Sequence, residues 1–306
     1  MAKTSHPPRK PTVSVIGAGR LGRALALALQ SSGYPIIALV ARRRPKSEKA
    51  ATLVAKASGG NTAKPRALAA SQLAELPQTD LILISTPDDL IAEVAHNLSA
   101  LLNVRKRSTI LHTSGALSSA VLAPLAKNGF QTGSIHPLVS ISDPVAGSAA
   151  LRGAFFCLEG DRKAKLVAQA IVSDLRGSSF SIKREHKALY HAAAVMAAPH
   201  VTALVDVAIE TLAACGLSKR KAQQVFVPLL ESTVNNLTTS SPQRALTGTF
   251  ARGDVATVRR HLDSLSGKQF AETLEVYKLL GLHSLRIMEK NGLDSSLVTT
   301  IRKLLE

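Results

Sequence analysis

The chain has 306 residues, of which 45% are hydrophobic, and its formal net charge at pH 7 is +17. This hydrophobic fraction supplies a sizeable core and excludes a disordered chain. Aromatic residues make up only 3%. Because single-strand nucleic-acid binders stack bases on aromatic side chains, the positive charge predicts no specific nucleic-acid partner, although weak nonspecific binding at low salt stays open.

The two cysteines lie far apart and predict neither a disulfide framework nor a metal site. Residues 1–10 are polar and proline-containing, which predicts a flexible basic tail and no targeting signal. We therefore expect a cytoplasmic protein. The richest apolar stretch, residues 188–215, does not predict a membrane span, because it is interrupted by His191, His200, Asp206 and Glu210.

Short apolar strands alternate with helices over residues 11–182. The strand candidates, in chain order, lie in TVSVI, YPIIALVARRR, LILIS, STILHTSG, FQTGSIHPLV, AFFCLEG and FSI. Such alternation is typical of a parallel, doubly wound sheet. From residue 183 onward the pattern is helical. The predicted fold is therefore α/β, then all-α: a Rossmann-like domain over 11–182 and a helical domain over 183–306.

A glycine-rich turn follows the first strand. Its six residues are Gly17, Ala18, Gly19, Arg20, Leu21 and Gly22, which match G-x-G-x-x-G. After a strand and at the start of a helix, this pattern is typical of dinucleotide binding. The first glycine permits a tight turn, the second lets the backbone approach a pyrophosphate, and the third lets the helix lie close to the strand. The alternative is that the glycines only shape a turn.

Arginines stand where the second strand ends. Enzymes that use NAD usually carry an acidic residue there, which accepts from the ribose 2′-OH. This chain has Arg42 and Arg43 instead. Because guanidinium groups bind phosphate through paired hydrogen bonds, the sequence predicts NADP. A solvated basic loop is the alternative.

The later strand ends should line the same cofactor, because ligands of such sheets bind at the carboxyl ends of the strands. The predicted contacts are Ser85, Thr86, Pro87, Thr113, Ser114 and Gly115. His136 follows the next strand and is a candidate catalytic residue. It could equally be a histidine that bonds to backbone at a strand end.

The stretch KALYHAAAVMAAPH begins the helical region. Lys187 and His191 are four residues apart and share a helix face. Either could give a proton to the product of hydride transfer, and the lysine could instead hold a substrate carboxylate. A lysine in a solvated first turn and a core histidine are the alternatives. Further on, Arg252 lies in a loop between two glycines and is a candidate substrate-binding residue, or else pairs with a nearby acid.

The motifs VIGAGRLGRALA, STP, HTSGALSS, GSIHPL, KALYHAAAVMAA and LTGTFARGDVATVRRHL occur in this order along nearly the whole chain. Together they resemble a bacterial family that joins a Rossmann-like oxidoreductase domain to DUF2520, whose boundary could lie near residue 150. More distantly, the arrangement is similar to the superfamily of 6-phosphogluconate dehydrogenase, ketopantoate reductase and pyrroline-5-carboxylate reductase. That resemblance implies an NADP-using reductase that forms a homodimer through its helical domain.

The resemblance also has departures. Relatives carry asparagine four residues after the lysine, where this chain has His191, and an asparagine near Pro199 is missing. The leading hypothesis is an NADP-dependent oxidoreductase that reduces a small 2-keto acid or imine, with a ketopantoate-like substrate implied by the resemblance. The departures keep open an NADP-binding sensor or assembly protein without turnover.

Overall fold

The computed structural model describes residues 9–59, 63–101 and 108–306. The tail predicted over residues 1–10 therefore lies mostly outside the described residues. The described part of the chain divides into two compact units, one that ends at Ala198 and one that spans Pro199–Glu306. The first contains a sheet with helices, and the second contains helices.

The first unit contains eight strands within the described ranges. They are β1 (Val13–Ile16), β2 (Ile36–Ala41), β3 (Arg66–Ala69), β4 (Leu81–Ile84), β5 (Thr109–His112), β6 (Gln131–Pro137), β7 (Phe155–Gly160) and β8 (Ser178–Ser181). Its helices are α1 (Arg20–Ser31), α2 (Arg44–Ala57), α3 (Asp88–Ser99), α4 (Ala123–Lys127), α5 (Pro144–Ala150), α6 (Arg162–Asp174) and α7 (Lys187–Ala197).

The second unit contains, over residues 199–306, seven further helices. They are α8 (Pro199–Ala213), α9 (Lys219–Thr239), α10 (Pro242–Ala245), α11 (Thr249–Arg252), α12 (Val255–Ser264), α13 (Ala271–Glu289) and α14 (Ser295–Leu305). Asp254 begins α12 by accepting from the backbone N–H of Thr257 at 2.9 Å. Such a cap satisfies an otherwise unpaired donor of the first turn.

The strands lie in the order β3-β2-β1-β4-β5-β6-β7-β8. All neighbours are parallel except β6 and β7, which are antiparallel. This confirms the α/β and then all-α fold with a doubly wound Rossmann-like sheet. The reversal of β7 and the short strand β3 depart from the predicted all-parallel strand set.

The sheet is buried on both faces. In β4, Leu81 and Leu83 belong to one hydrophobic core, and Ile82 and Ile84 belong to another. The first core also contains α1, whose run of alanine and leucine presents small side chains to the strands. Continuous apolar strands such as LILI are what burial between two helical layers requires.

The predicted boundary between residues 182 and 183 coincides with the end of the strands, whereas the compact units divide after Ala198. The difference is α7, which belongs with the sheet because Lys187 is buried against the strand ends. The backbone leaves helical geometry at Ala198 (φ −133°, ψ −73°), directly before Pro199. A proline cannot donate to the preceding turn, which explains the interruption.

Within the described residues, the stretch Arg184–Ala213 is long and apolar enough to cross a membrane by length and composition. A single stretch of this kind is weak support for a span. Its first half carries Lys187 and His191, which contact the sheet.

Candidate active site

The glycine turn brings β1 against the start of α1. Gly17 has φ +104°, a conformation that side chains rarely adopt, and a Cβ there would lie 2.4 Å from the Ser85 backbone. A Cβ on Gly22 would lie 2.0 Å from the Gly17 carbonyl oxygen. These two glycines are therefore required by close packing of the turn itself.

Gly19 differs from its two neighbours in the motif. No described atom lies within 4 Å of the position that its Cβ would occupy. It precedes Arg20 at the exposed start of α1, where no side chain caps the helix and no acid stands in the first turn. The backbone N–H groups at this helix start can therefore receive an anion.

The arginines at the end of β2 are exposed, and β2 is the neighbour of β1 in the sheet. Arg42 and Arg43 form no ion pair with any described residue. By contrast, Arg44 donates to Glu48 at 3.0 Å. Two guanidinium groups without an ion-pair partner among the described residues thus lie at the strand end beside the glycine turn.

The end of β4 lies on the other side of β1. Ser85 continues the strand pairing by donating its N–H to Ile16 at 2.7 Å. The Thr86 hydroxyl is buried and has no hydrogen-bond partner among the described residues. Pro87 is exposed and precedes the first turn of α3. Of these three predicted contacts, Thr86 carries the clearest unused polar atom.

The end of β5 is more strongly tied to the protein. Thr113 donates its N–H to Ile84 at 3.0 Å. The Ser114 hydroxyl donates to Asp88 at 2.7 Å and accepts from the N–H of Leu117 at 2.9 Å. The predicted contact at Ser114 therefore has its side chain engaged in holding the loop after β5.

Five residues, His136, Tyr190, His191, Lys187 and Ser114, form what we call the strand-end cluster. Tyr190 and His136 are joined by a 2.6 Å contact between the phenol oxygen and Nδ1. The rings of His136 and His191 meet edge to face at 5.5 Å between centroids. Lys187 donates from Nζ to the Ser114 carbonyl at 3.0 Å. The structure thus brings all three predicted catalytic residues together.

The cluster forms where β5 and β6 end and β7 begins. His112 of β5 lies beside Ser134 of β6, and His136 two residues on lies beside Cys157 of β7. Because β7 is antiparallel to β6, the first half of β7 reaches the carboxyl end of β6. The buried residues Cys157 and Ser134 therefore lie on the inner side of the His136 imidazole and the Lys187 ammonium.

Lys187 is only 1% exposed. Its Nζ also donates to the Ser134 hydroxyl at 3.3 Å. Burial lowers its pKa, and the neighbouring Cys157 and Glu159 oppose that shift. Because the side chain is almost completely buried, direct contact with a substrate would require it to move, so the geometry favours a supporting position over that of an exposed acid.

His112 and His136 are held neutral near pH 7. Burial, followed by the charge of Lys187, lowers the pKa of His136 to about 4. The same two causes lower the pKa of His112 to about 4. Near neutral pH both rings therefore have one nitrogen that donates and one that accepts.

Gly115 completes the site. A Cβ on this glycine would lie 2.2 Å from His191 Nδ1 and 2.9 Å from His136 Nε2. Both imidazoles therefore pack directly on the loop after β5. His191 Nδ1 is buried there without a hydrogen-bond partner in the described part of the chain.

Arg252 lies at the end of α11 in the helical unit and is exposed. Hydrogen bonds from Thr257 are the main cause that lowers the pKa of Asp254, and the charge of Arg252 lowers it further. The assignment of Arg252 to a substrate stays a prediction. Among the described residues, no group of three histidine, cysteine or acidic side chains is placed to hold a metal ion.

Sequence reasoning missed Tyr190 and Asp88. Tyr190 lies three residues after Lys187 and next to His191, so helical spacing could have placed it near both. Its partner His136, however, is 54 residues away. The sequence indicated Asp88 less clearly, because its one distinguishing feature is that it is an acid in the first turn of a helix that follows a strand.

Two family models match the chain. A Rossmann-like domain covers residues 2–137, and DUF2520, a domain of unknown function, covers residues 154–284. The matches have the order that the motifs predicted. The comparison with curated proteins gives no match.

Solved structures with this fold include three from bacteria. A Bacteroides fragilis protein with the provisional name NADP oxidoreductase is 23% identical with a TM-score of 0.70, and a Thermotoga maritima protein is 22% identical with a TM-score of 0.68. Each match covers 92% of this chain and 99% of the other. Pyrroline-5-carboxylate reductase of Streptococcus pyogenes is 16% identical over 97% of both chains, with a TM-score of 0.57. At these identities the likeness establishes a shared fold.

Proposed function

Because models of a Rossmann-like domain and of DUF2520 match successive parts of the chain, we propose that it is an NADPH-dependent reductase of a small 2-keto acid or imine. One observation carries the proposal. The glycine turn, the unpaired arginines and the strand-end cluster all lie at the carboxyl ends of neighbouring strands of one sheet. This is the edge at which ligands of open α/β sheets bind.

The residues present fit a dinucleotide. Gly19 leaves the backbone open at the uncapped start of α1, where a pyrophosphate would receive N–H groups. The unused hydroxyl of Thr86 offers a polar contact at the adjoining strand end. Bound there, the cofactor supplies a hydride for the carbonyl or imine carbon.

The phosphate preference rests on the end of β2. Arg42 and Arg43 would hold the 2′-phosphate that distinguishes NADPH from NADH. Their lack of an ion pair with described residues supports this use, because a guanidinium already paired with a carboxylate, as Arg44 is with Glu48, is less available to a phosphate.

The strand-end cluster would serve the oxygen or nitrogen that receives a proton. His136 is half-buried and neutral near pH 7, so it can donate a hydrogen bond without carrying a charge. His191 packs beside it with an unused Nδ1. Lys187 would hold the loop after β5 through Ser114 and lower the basicity of His136 from behind. A ketopantoate-like substrate is one that this site would accept, since its keto group needs such a donor.

A fluorescence titration with NADPH and NADH tests the cofactor assignment. We expect wild type to prefer NADPH and Arg42→Ala/Arg43→Ala to lose that preference, with NADPH binding weakened about 10- to 100-fold as paired charge-assisted hydrogen bonds are removed. Arg44→Ala is the matched control, because its side chain already pairs with Glu48.

Failure of wild type to bind either nucleotide would overturn the proposal. If NADPH binds but a panel of 2-keto acids and imines causes no oxidation, the chain is an NADP-binding sensor or assembly protein. The two results are separate, since the titration needs no substrate.

We also propose that the helical unit forms a homodimer. The fifteen residues of α8 include no buried side chain, and α9 buries only Ala222. Exposed apolar residues on α9 include Val227 and Val234, which are 44% and 59% exposed. They are seven residues apart and share a helix face. A second copy would remove this apolar surface from water.

A further inference from the structure

Tyr190 is half-buried beside the rings of His136 and Phe180 at the end of the sheet. Its phenol oxygen lies 2.6 Å from His136 Nδ1. Its ring meets the His136 ring edge to face at 5.6 Å and the Phe180 ring at 5.9 Å. These contacts leave the phenol little freedom to turn toward another group.

The hydrogen bond has a defined direction. Burial, followed by the nearby Cys157, raises the pKa of Tyr190, so the phenol keeps its proton. His136 is neutral near pH 7 and has one nitrogen free to accept. If Nδ1 carried the hydrogen instead, the phenol hydrogen would have only the sulfur of Cys157, a weak acceptor, among the described residues. Leaving a partly buried donor poorly paired is costly, so the phenol donates to Nδ1.

This direction places the imidazole hydrogen on Nε2. That nitrogen lies against the loop after β5, 2.9 Å from the position that a Cβ on Gly115 would occupy. The buried Nδ1 of His191 lies 2.2 Å from the same position. The donating edge of His136 therefore faces the strand-end loop rather than the interior of the sheet.

We infer that Tyr190 is a positioning residue for the proposed reductase: its phenol holds His136 as the Nε2–H tautomer, which donates to the carbonyl oxygen or imine nitrogen of the substrate. The inference rests on the proposed function for its substrate, but the tautomer itself does not. As the carbonyl carbon accepts hydride, the oxygen takes the Nε2 proton, and the phenol proton moves to Nδ1. The Nδ1 proton then returns to the phenolate and Nε2 takes a proton from water, so both the phenol and the imidazole return to their starting states.

Lys187 supports the phenolate formed in this step. Its Nζ lies 5.7 Å from the centroid of the Tyr190 ring. A cation at this distance from a tyrosine ring is favourable, and more so once the oxygen carries a negative charge. The lysine thus acts from the buried side, while His136 donates to the substrate.

Nitrogen-15 NMR of the histidine side chains tests the inference on the full chain. In wild type at pH 7 we expect His136 to carry hydrogen on Nε2 and none on Nδ1, with its signals assigned by their loss in His136→Gln. In Tyr190→Phe, which keeps the ring and removes the hydroxyl, we expect both tautomers. Hydrogen on Nδ1 in wild type, or an unchanged tautomer in Tyr190→Phe, would overturn the inference.

The chain offers a matched control in the helical unit. His261 Nδ1 lies 2.8 Å from the phenol oxygen of Tyr277, and the rings meet edge to face at 5.7 Å. Tyr277→Phe should alter the signals of His261 and leave those of His136 unchanged. A change at His136 in this variant would mean that the readout reports a general disturbance, which would also overturn the inference.

Turnover supplies a second readout. Tyr190→Phe should lower kcat about 100-fold, the size of a typical general-acid contribution, while KM changes little and NADPH affinity stays as in wild type. Unchanged kcat with the expected NMR result would remove the catalytic part of the inference. Absence of NADPH binding in wild type would instead defeat the proposed function and leave the tautomer result standing. If Tyr190→Phe does not fold, the wild-type spectrum still decides the tautomer.

Discussion

The two compact units keep their polar and apolar side chains in opposite places. The α/β unit buries Lys187 and His112 inside, where hydrogen bonds and neutral protonation states make burial tolerable. The helical unit leaves apolar side chains outside, on α8 and α9. Since buried polar groups are costly unless they are used, the first unit is built around a site. Since exposed apolar faces are costly in water, the second unit supports the proposal of a homodimer.

The largest expected effect concerns the apolar face of α9. Val227→Glu/Val234→Glu places two charges on it and should convert the proposed dimer into monomers, because burying an unpaired charge at an interface costs several kcal/mol. Light scattering after size-exclusion chromatography measures the mass. Leu166→Glu is the control, because Leu166 is 56% exposed but lies on α6 of the other unit. A wild-type monomer, or a double variant that stays dimeric, would contradict the proposal that the apolar face of α9 is a dimer contact.

Two glycines of the turn should separate folding from binding. Gly17→Ala forces a side chain into a backbone with φ +104° and should destabilise the α/β unit by about 2–3 kcal/mol. The Cβ added by Gly19→Ala meets no described atom, so the melting temperature should stay nearly unchanged. The same substitution should weaken the binding of NADPH. Thermal unfolding and the fluorescence titration measure the two effects. Equal loss of stability in both variants would show that the turn is structural throughout.

The buried histidines should make the α/β unit sensitive to acid. Folding lowers the pKa of His112 and His136 from the ordinary 6.5 to about 4, so below pH 6.5 the unfolded chain binds protons that the folded chain does not. Stability therefore falls as the pH decreases from 6.5 to about 4, by about 1–2 kcal/mol for each histidine between pH 7 and pH 5. Chemical unfolding at the two pH values measures the loss, and His136→Gln should reduce it. A loss that is the same in His136→Gln would assign it to other groups.

The smallest expected change in stability is that of Lys187→Met. The substitution keeps a long side chain and removes a buried charge, which is often neutral within about 1 kcal/mol. We expect NADPH affinity to stay unchanged and kcat to fall, because the loop at Ser114 loses its donor and the cation beside Tyr190 is gone. Denaturant unfolding measures the stability, and steady-state kinetics measures kcat. Full-rate turnover in Lys187→Met would remove the lysine from the site.

Much of the fold and part of the site followed from local spacing. The glycine turn, the apolar strands, the arginines after β2 and the shared face of Lys187 and His191 are all set by residues near one another in the chain. Periodicity and turn geometry act over a few residues, so a single sequence is enough to read them. The same motifs identified the pairing of a Rossmann-like domain with DUF2520.

Other features were decided only when distant segments packed together. The reversal of β7 brings Cys157 beside His136, the Tyr190 hydroxyl reaches an imidazole 54 residues away, and Lys187 reaches a carbonyl 73 residues away. These contacts depend on strand order and direction, which express the packing of the whole unit rather than any local pattern. The sequence by itself thus determined the elements and the glycine turn, and tertiary structure decided which polar groups are buried and which nitrogen of His136 lies against the loop after β5.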